Sequence, residues 1–215
     1  MTTPPQAALT GHLRGLYVIL DPQAAGGRDL VTIARQALAG GARILQLRDK
    51  IHDKGEQLPV ARRLRALCAR QGALFLINDH VDLALACEAD GVHVGQKDLP
   101  VAFARRLLPP PLIVGASTNN PREARRAVRD GADYVAVGRL FPTASKLDTR
   151  PATLDVLRAV RRAVKVPIAG IGGITEENVD AVLAAGADMM AVISAVVGAA
   201  NVRAAARRLA RQFGA

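Results

Sequence analysis

Tryptophan is absent from this chain, and only two tyrosines, four phenylalanines, two cysteines and four histidines occur among its 215 residues. So few rings argue against general nucleic-acid binding, which interleaves stacking aromatics with basic residues. The net charge of +10 does not reverse that conclusion. The excess is arginine spread along helix-like stretches such as "ARRLRALCAR" and "RAAARRLARQ", as on solvated helix faces with a by-product preference for small anions. Cys68 and Cys87 lack CxxC spacing and the histidines are scattered, which excludes a disulfide framework and a structural zinc site and fits a reducing cytoplasm. Long apolar runs are missing too. The longest weakly charged stretch, Ala181 to Val202, carries Gly186, Asp188 and Ser194 and divides into helix, turn and strand, so neither a membrane nor a nucleic acid is an expected partner.

What is present is a repeat. "LAGGARILQLRD", "ACEADGVHVGQKD", "VRDGADYVAVGRL" and "LAAGADMMAVISA" each run from an alanine-rich helix through a turn into a strand, with Gly41, Gly91, Gly131 and Gly186 expected at left-handed helix ends. Between them lie four more apolar runs, "GLYVILD", "ALFLIND", "PLIVGAS" and "VPIAGIGG", each followed by helical periodicity. Eight strands alternating with helices predict a parallel sheet closed into a single (β/α)8 TIM barrel over residues 15–215, after a flexible tail over residues 1–14. An open doubly wound sheet is the alternative, but no early GxGxxG favours it. The chemistry of such a barrel sits where strands end.

The strand ends carry unusual residues. Alternation along the second strand places Gln46, Arg48 and Lys50 on one face and Leu45 and Leu47 on the other. Two cations at a barrel mouth call for an anion, since Asp49 lies on the opposite face and one carboxylate cannot neutralise both. The third strand ends "INDHVD" and the fourth "VGQKD", so Asn78 and Asp79 fall beside Asp98, close enough for two carboxylates to share a hard cation such as magnesium. Each aspartate by itself reads as a helix cap, and it is together with the cationic second strand that the pair reads as a metal site. The fifth strand leaves Ser117 and Thr118 at the mouth, again as ligand contacts or caps. The seventh ends in Gly172 and Gly173 before a helix predicted to begin near Thr175, and the eighth in Ile193 and Ser194, the place of a phosphate cradle in this architecture. His93 reads as a packed core histidine and His80 as a surface helix residue. No Ser-His-Asp or Cys-His arrangement is apparent.

The sixth strand leads into "FPTASK". From there Lys146 can reach a diphosphate while Thr143 and Ser145 offer hydroxyls to a second phosphate, as on a lid that excludes water; an ordinary polar loop is the plainer alternative.

Taken in order, "QLRDK", "IND", "GVHVGQKD", "VGAST", "FPTASK", "GIGGI" and "VIS" resemble the thiamine phosphate synthases from about Leu16 to Phe213. The resemblance implies a Mg2+-dependent barrel transferase of thiamine biosynthesis. It would join hydroxymethylpyrimidine diphosphate to a thiazole phosphate, or its carboxylate, with release of pyrophosphate through a pyrimidine-methylene cation. Carried over by residue, Gln46, Leu47, Arg48, Asp49, Lys50, Asn78, Ser117 and Lys146 would bind the pyrimidine diphosphate, and Arg48, Lys50, Ser117 and Lys146 among them would act in catalysis. Asp79 and Asp98 would hold the metal. Thr143, Ala144, Ser145, Gly172, Gly173, Ile193 and Ser194 would hold the thiazole phosphate. Three positions depart from the family pattern: Lys97 where an acidic residue is usual, Asn119 for histidine, and Ser145 for threonine.

Two phosphorylated small molecules are thus the expected partners, and alanine-rich outer helices leave a homodimer open. The nearest alternative is a thiazole tautomerase of the same fold, which needs neither the paired aspartates nor Lys146. A sugar-phosphate isomerase or epimerase barrel would need only the glycine cradle.

Overall fold

The structure is a computed structural model that describes residues 11–143 and 150–214. Eight strands, β1 Gly15–Leu20, β2 Ile44–Leu47, β3 Leu74–Asn78, β4 Gly91–Val94, β5 Ile113–Thr118, β6 Tyr134–Val137, β7 Ile168–Ile171 and β8 Met189–Val192, pair in sequence order. All pairings are parallel, and β8 returns to β1 with Gly15 opposite Met189, so the predicted TIM barrel is closed. Around it lie α1 Leu30–Ala39, α2 Lys54–Gln71, α3 Val81–Ala86, α4 Val101–Leu107, α5 Pro121–Arg129, α6 Leu154–Ala163, α7 Val179–Ala184 and α8 Val202–Ala210. One-turn helices at Pro22–Ala25 and Ser194–Val197 follow β1 and β8. Among the described residues no helix is long and apolar enough to cross a membrane.

Alternation divides the apolar residues into two layers. Outward residues such as Val18, Leu45, Leu47, Phe75, Val92 and Val135 pack beneath the helices. Inward residues, among them Tyr17, Ile19, Ile44, Leu76, Ile113, Tyr134 and Met189, fill the barrel. Leu13 is 2% exposed and belongs to that inner cluster, so the fold begins within the stretch read as tail. Gly115 makes room for the inward Tyr134 ring, because a Cβ there would overlap its Cζ and hydroxyl.

The repeat has a physical basis at the floor of the barrel. Asp90, Asp133 and Asp188 each precede a strand and accept a hydrogen bond from the backbone of the strand before it, at Phe75, Val114 and Ile168, each at 2.8 Å. Each also pairs with an arginine from an outer helix: Arg65, Arg105 and Arg161 respectively. The arginine stems of Arg105 and Arg161 cross Gly131 and Gly186, whose φ angles of 104° and 101° demand glycine. Gly91 is different from what its place in the repeat predicts. It lies within β4 without a positive φ, and a Cβ there would collide with the Ile113 carbonyl, while Glu88 takes the left-handed turn at φ 55°.

Because Asp133 ties β5 to β6 and its arginine is mostly buried, Asp133→Ala should lower the free energy of unfolding by about 3 kcal/mol. Denaturant titration checks this, and a loss well under 1 kcal/mol would assign the tie to backbone pairing alone.

Candidate active site

A cavity of about 770 Å3 opens at the C-terminal ends of the strands. It is lined by Gln46, Arg48, Lys50, Asn78, Asp79, Asp98 and Ser117 on one side, and by Thr143, Gly172, Gly173, Ile193 and Ser194 on the other. Leu47 and Asp49 do not line it. Leu47 packs in the outer core, as strand alternation requires. Asp49 accepts from the backbone N–H groups of Ile51 and His52 and from the His52 ring, so it shapes the β2–α2 turn. Ala144, Ser145 and Lys146 lie outside the described residues.

The two second-strand cations are indeed not neutralised by Asp49, but neither waits unpaired for a ligand. Arg48 pairs with Asp21, a buried carboxylate at the end of β1 that also accepts from the Gln23 and Ala24 backbone. Its Nε remains buried without a hydrogen-bond partner. Lys50 pairs with Asp79 at 2.6 Å. The mouth is therefore a network of alternating charge, in which the guanidinium keeps an unused donor.

Asp79 and Asp98 meet as β3 and β4 end. Neither caps a helix: α3 is capped at His80 and α4 at Pro100. Asp79 occupies the left-handed region at φ 63°, unusual for a residue with a Cβ, and its amide is fixed to the His93 carbonyl at 2.8 Å. Asp98 is held from the other side by the Gly95 amide at 2.8 Å. Burial, followed by the neighbouring Asp79 carboxylate, raises the Asp98 pKa above the usual carboxylate range. Two carboxylates pressed together in this way suit a hard divalent ion. Among the described residues no cluster of three or more metal-ligating side chains forms, so oxygens from substrate and water would complete such a site.

Of the fifth-strand pair, only Ser117 reaches the mouth. Thr118 points outward and is 1% exposed, its hydroxyl donating to the Ala136 carbonyl. Ser117 is not a cap either, since Asn120 caps α5. Its Oγ lies 2.9 Å from His93 Nε2.

On the far side, Gly172 and Gly173 have φ angles of 101° and 63°. The close approach they permit includes the chain's own backbone, because a Cβ at Gly172 would press on Arg139 and one at Gly173 would strike the Pro142 carbonyl. The helix predicted near Thr175 begins instead at Val179. The Thr175 N–H is taken up by Asn178 Oδ1 at 3.0 Å and that of Glu177 by Thr175 Oγ1 at 3.3 Å, so these amides are not offered to the cavity.

Asn119, one of the departures, joins the two feet of the β6 loop. Its Nδ2 donates to the Gly138 and Arg150 carbonyls, each at 2.8 Å. Glu123 accepts from the Asn119 amide at 2.8 Å and from Arg150 at 2.9 Å. Burial opposes the Glu123 charge, but these donors outweigh it and hold its pKa below the usual range. Lys97, another departure, is exposed on the cavity rim.

Several wall residues escaped sequence reasoning. Arg139 and Arg150 bring cations to the glycine side, and Tyr17 and His93 form part of the floor. The tyrosines carried one available signal: the chain has only two, and both fall on predicted strands.

A closed parallel barrel whose strand ends gather paired carboxylates, cations, a hydroxyl and a glycine turn into one cavity defines a TIM-barrel enzyme with its site on the C-terminal face. The family model described as thiamine monophosphate synthase matches residues 16–196, and the chain belongs to that family. A thiamine-phosphate synthase of Moorella thermoacetica is 52% identical over 195 residues, covering 90% of this chain and 93% of its own. That of Methanocella arvoryzae is 49% identical over 195 residues, covering 90% and 92%. Among solved structures, a thiamine phosphate pyrophosphorylase from Pyrococcus furiosus superposes with a TM-score of 0.87 at 41% identity, covering 95% of this chain and 97% of that one.

The raised pKa of Asp98 has a sign that can be measured. A carboxyl whose ionised form the fold disfavours withdraws stability as pH rises through its raised pKa. Asp98→Asn keeps an oxygen for the Gly95 amide and removes the charge, so without divalent ions it should melt above the wild type at pH 7. The difference should close as the pH falls below the raised pKa. A variant less stable than wild type at pH 7 would show that Asp79 and Asp98 do not repel.

Proposed function

We propose that the chain is a thiamine-phosphate synthase that couples 4-amino-5-hydroxymethyl-2-methylpyrimidine diphosphate to a thiazole phosphate, giving thiamine phosphate and pyrophosphate. The observation that carries this is the joining of two unlike half-sites in one cavity: Asp79, Asp98, Arg48 and Lys50 on one side, Gly172, Gly173 and Ser194 on the other. A tautomerase acting on the thiazole alone has no use for the first half.

In this assignment Asp79 and Asp98 hold Mg2+, which when bound contributes positive charge beside the leaving diphosphate. Arg48 and Lys50 stabilise the negative charge that develops as the C–O bond to the pyrimidine methylene breaks, and the free Nε of Arg48 is a donor available to a diphosphate oxygen. Lys146 joins them by sequence assignment. The Thr143 hydroxyl and the glycine turn hold the thiazole phosphate. They keep its ring nitrogen about 3 to 3.5 Å from the methylene so that nitrogen, not water, captures the cation. One C–O bond breaks and one C–N bond forms, with no proton to transfer. This matches a site without a Ser-His-Asp triad. The protein acts in the cytoplasm.

A purified sample given both substrates and Mg2+ should release pyrophosphate in step with thiamine phosphate. Isomerisation of the thiazole without pyrophosphate would assign it to the tautomerase instead. Asp98→Asn should lower kcat/KM at limiting Mg2+ by at least ~10-fold, about 1.4 kcal/mol; an unchanged metal titration would remove Asp98 from the metal site. Lys146→Ala should lower kcat more than it raises the thiazole KM, since its charge matters most as the diphosphate departs. A change in KM alone would make Lys146 a substrate-positioning group.

A further inference from the structure

A chain of hydrogen bonds runs through the barrel interior and ends in the cavity. Gln46 Nε2 lies 2.6 Å from the Tyr17 hydroxyl, which lies 3.0 Å from the Tyr134 hydroxyl. That hydroxyl is 2.9 Å from His93 Nδ1, and His93 Nε2 is 2.9 Å from Ser117 Oγ. Gln46, Tyr17, Tyr134 and His93 are all buried, while Ser117 is only partly covered and faces the cavity. Five polar residues from β1, β2, β4, β5 and β6 thus form one line across the barrel interior.

The line has a direction. A carboxamide nitrogen donates and cannot accept, so the Tyr17 oxygen receives the Gln46 hydrogen. Among the described residues Tyr134 is then the one acceptor beside the buried Tyr17 hydroxyl, so the arrangement that leaves no buried hydroxyl hydrogen unpaired passes the Tyr17 hydrogen to Tyr134 and the Tyr134 hydrogen to His93 Nδ1. A neutral imidazole that accepts at Nδ1 carries its hydrogen on Nε2, and that hydrogen goes to Ser117 Oγ. Ser117 therefore accepts from His93 and keeps its own hydrogen for the cavity. Burial raises the pKa of both tyrosines, so each remains a hydroxyl donor at physiological pH. Mutual polarisation along such a chain strengthens each bond.

We propose that Tyr17, Tyr134 and His93 are positioning residues that, anchored by Gln46, hold His93 as the neutral Nε2–H tautomer and fix Ser117 as a hydrogen-bond donor toward the cavity. Ser117 accordingly selects a substrate atom with a free lone pair, and His93 is not a general base. Only the identity of that substrate, the pyrimidine diphosphate, rests on the function proposed above. The polarity of the chain does not.

The test is a long-range 1H–15N spectrum of the ligand-free protein labelled at its four histidines, with His93 assigned by the signal missing from His93→Asn. The wild type should show His93 as Nε2–H. An Nδ1–H tautomer would reverse the bonds from Tyr17 to Ser117, leave Tyr17 accepting from both Gln46 and Tyr134, and make Ser117 a donor to the ring, which overturns the proposal. The tautomer itself is read from the wild type, and His93→Asn serves only for the assignment. Tyr134→Phe keeps the ring that Gly115 accommodates and removes the hydrogen, so His93 should become a mixture of tautomers. The KM for the pyrimidine diphosphate should rise about 5-fold with the thiazole KM unchanged, as for the loss of one oriented hydrogen bond. A His93 tautomer unaffected by Tyr134→Phe would refute the positioning role. If the tautomer behaves as expected and the two-substrate assay yields no product, the functional assignment fails and the relay stands.

Discussion

Closure of the sheet, by pairing β8 with β1, is the constraint on which the rest of this protein depends. A closed parallel barrel has no free edge, and all eight strands end on the same face. Residues far apart in sequence, such as Arg48, Asp79, Ser117 and Ser194, therefore converge on one cavity without any long loop to carry them. The opposite face holds the repeated aspartate–arginine ties, which join successive strands where no ligand is expected. Stability and chemistry are thus separated along the barrel axis, as the architecture generally permits.

On the β2 to β4 side of the cavity, opposite charges are paired and some bonding capacity is left to spare. Arg48 pairs with Asp21 yet keeps one buried donor, Lys50 pairs with Asp79, and Asp98 carries the strain of the carboxylate beside it. A site organised in this way is held in place before a ligand arrives, since partially buried cations would otherwise be too costly to maintain. The same principle extends to the neutral groups beneath it, where the tyrosine–histidine line supports Ser117. It extends also to the β6 loop, whose feet are tied together by Asn119, Glu123 and Arg150.

Much of this was legible in the residues. The repeat of helix, turn and strand revealed eight units, and the alternation in "ILQLRDK" separated Gln46 from Leu45 and Leu47 correctly. Other features were hidden for identifiable reasons. Asp21 looks like a cap and is one, and nothing local shows that Arg48, 27 residues later, turns its guanidinium toward the same carboxylate. Gly91 fits the pattern of helix-ending glycines, but its need arises from a neighbouring strand. Thr118 and Ser117 are adjacent hydroxyls, and only the pleat sends one outward and the other to the cavity. His93 was correctly seen as packed, although its packing includes two hydrogen bonds that no spacing could disclose.

The amino-acid sequence by itself determined the period of the strands, the order of the units and the residue types at each strand end, because these follow from local propensity and alternation. Tertiary structure alone decided which end groups meet: Asp79 with Lys50 and Asp98, Asn119 with both feet of a loop, Tyr17 with Tyr134 across 117 residues. Those pairings depend on the register of neighbouring strands and the curvature of a closed sheet. Both are properties of the whole barrel, written in no single segment of the chain.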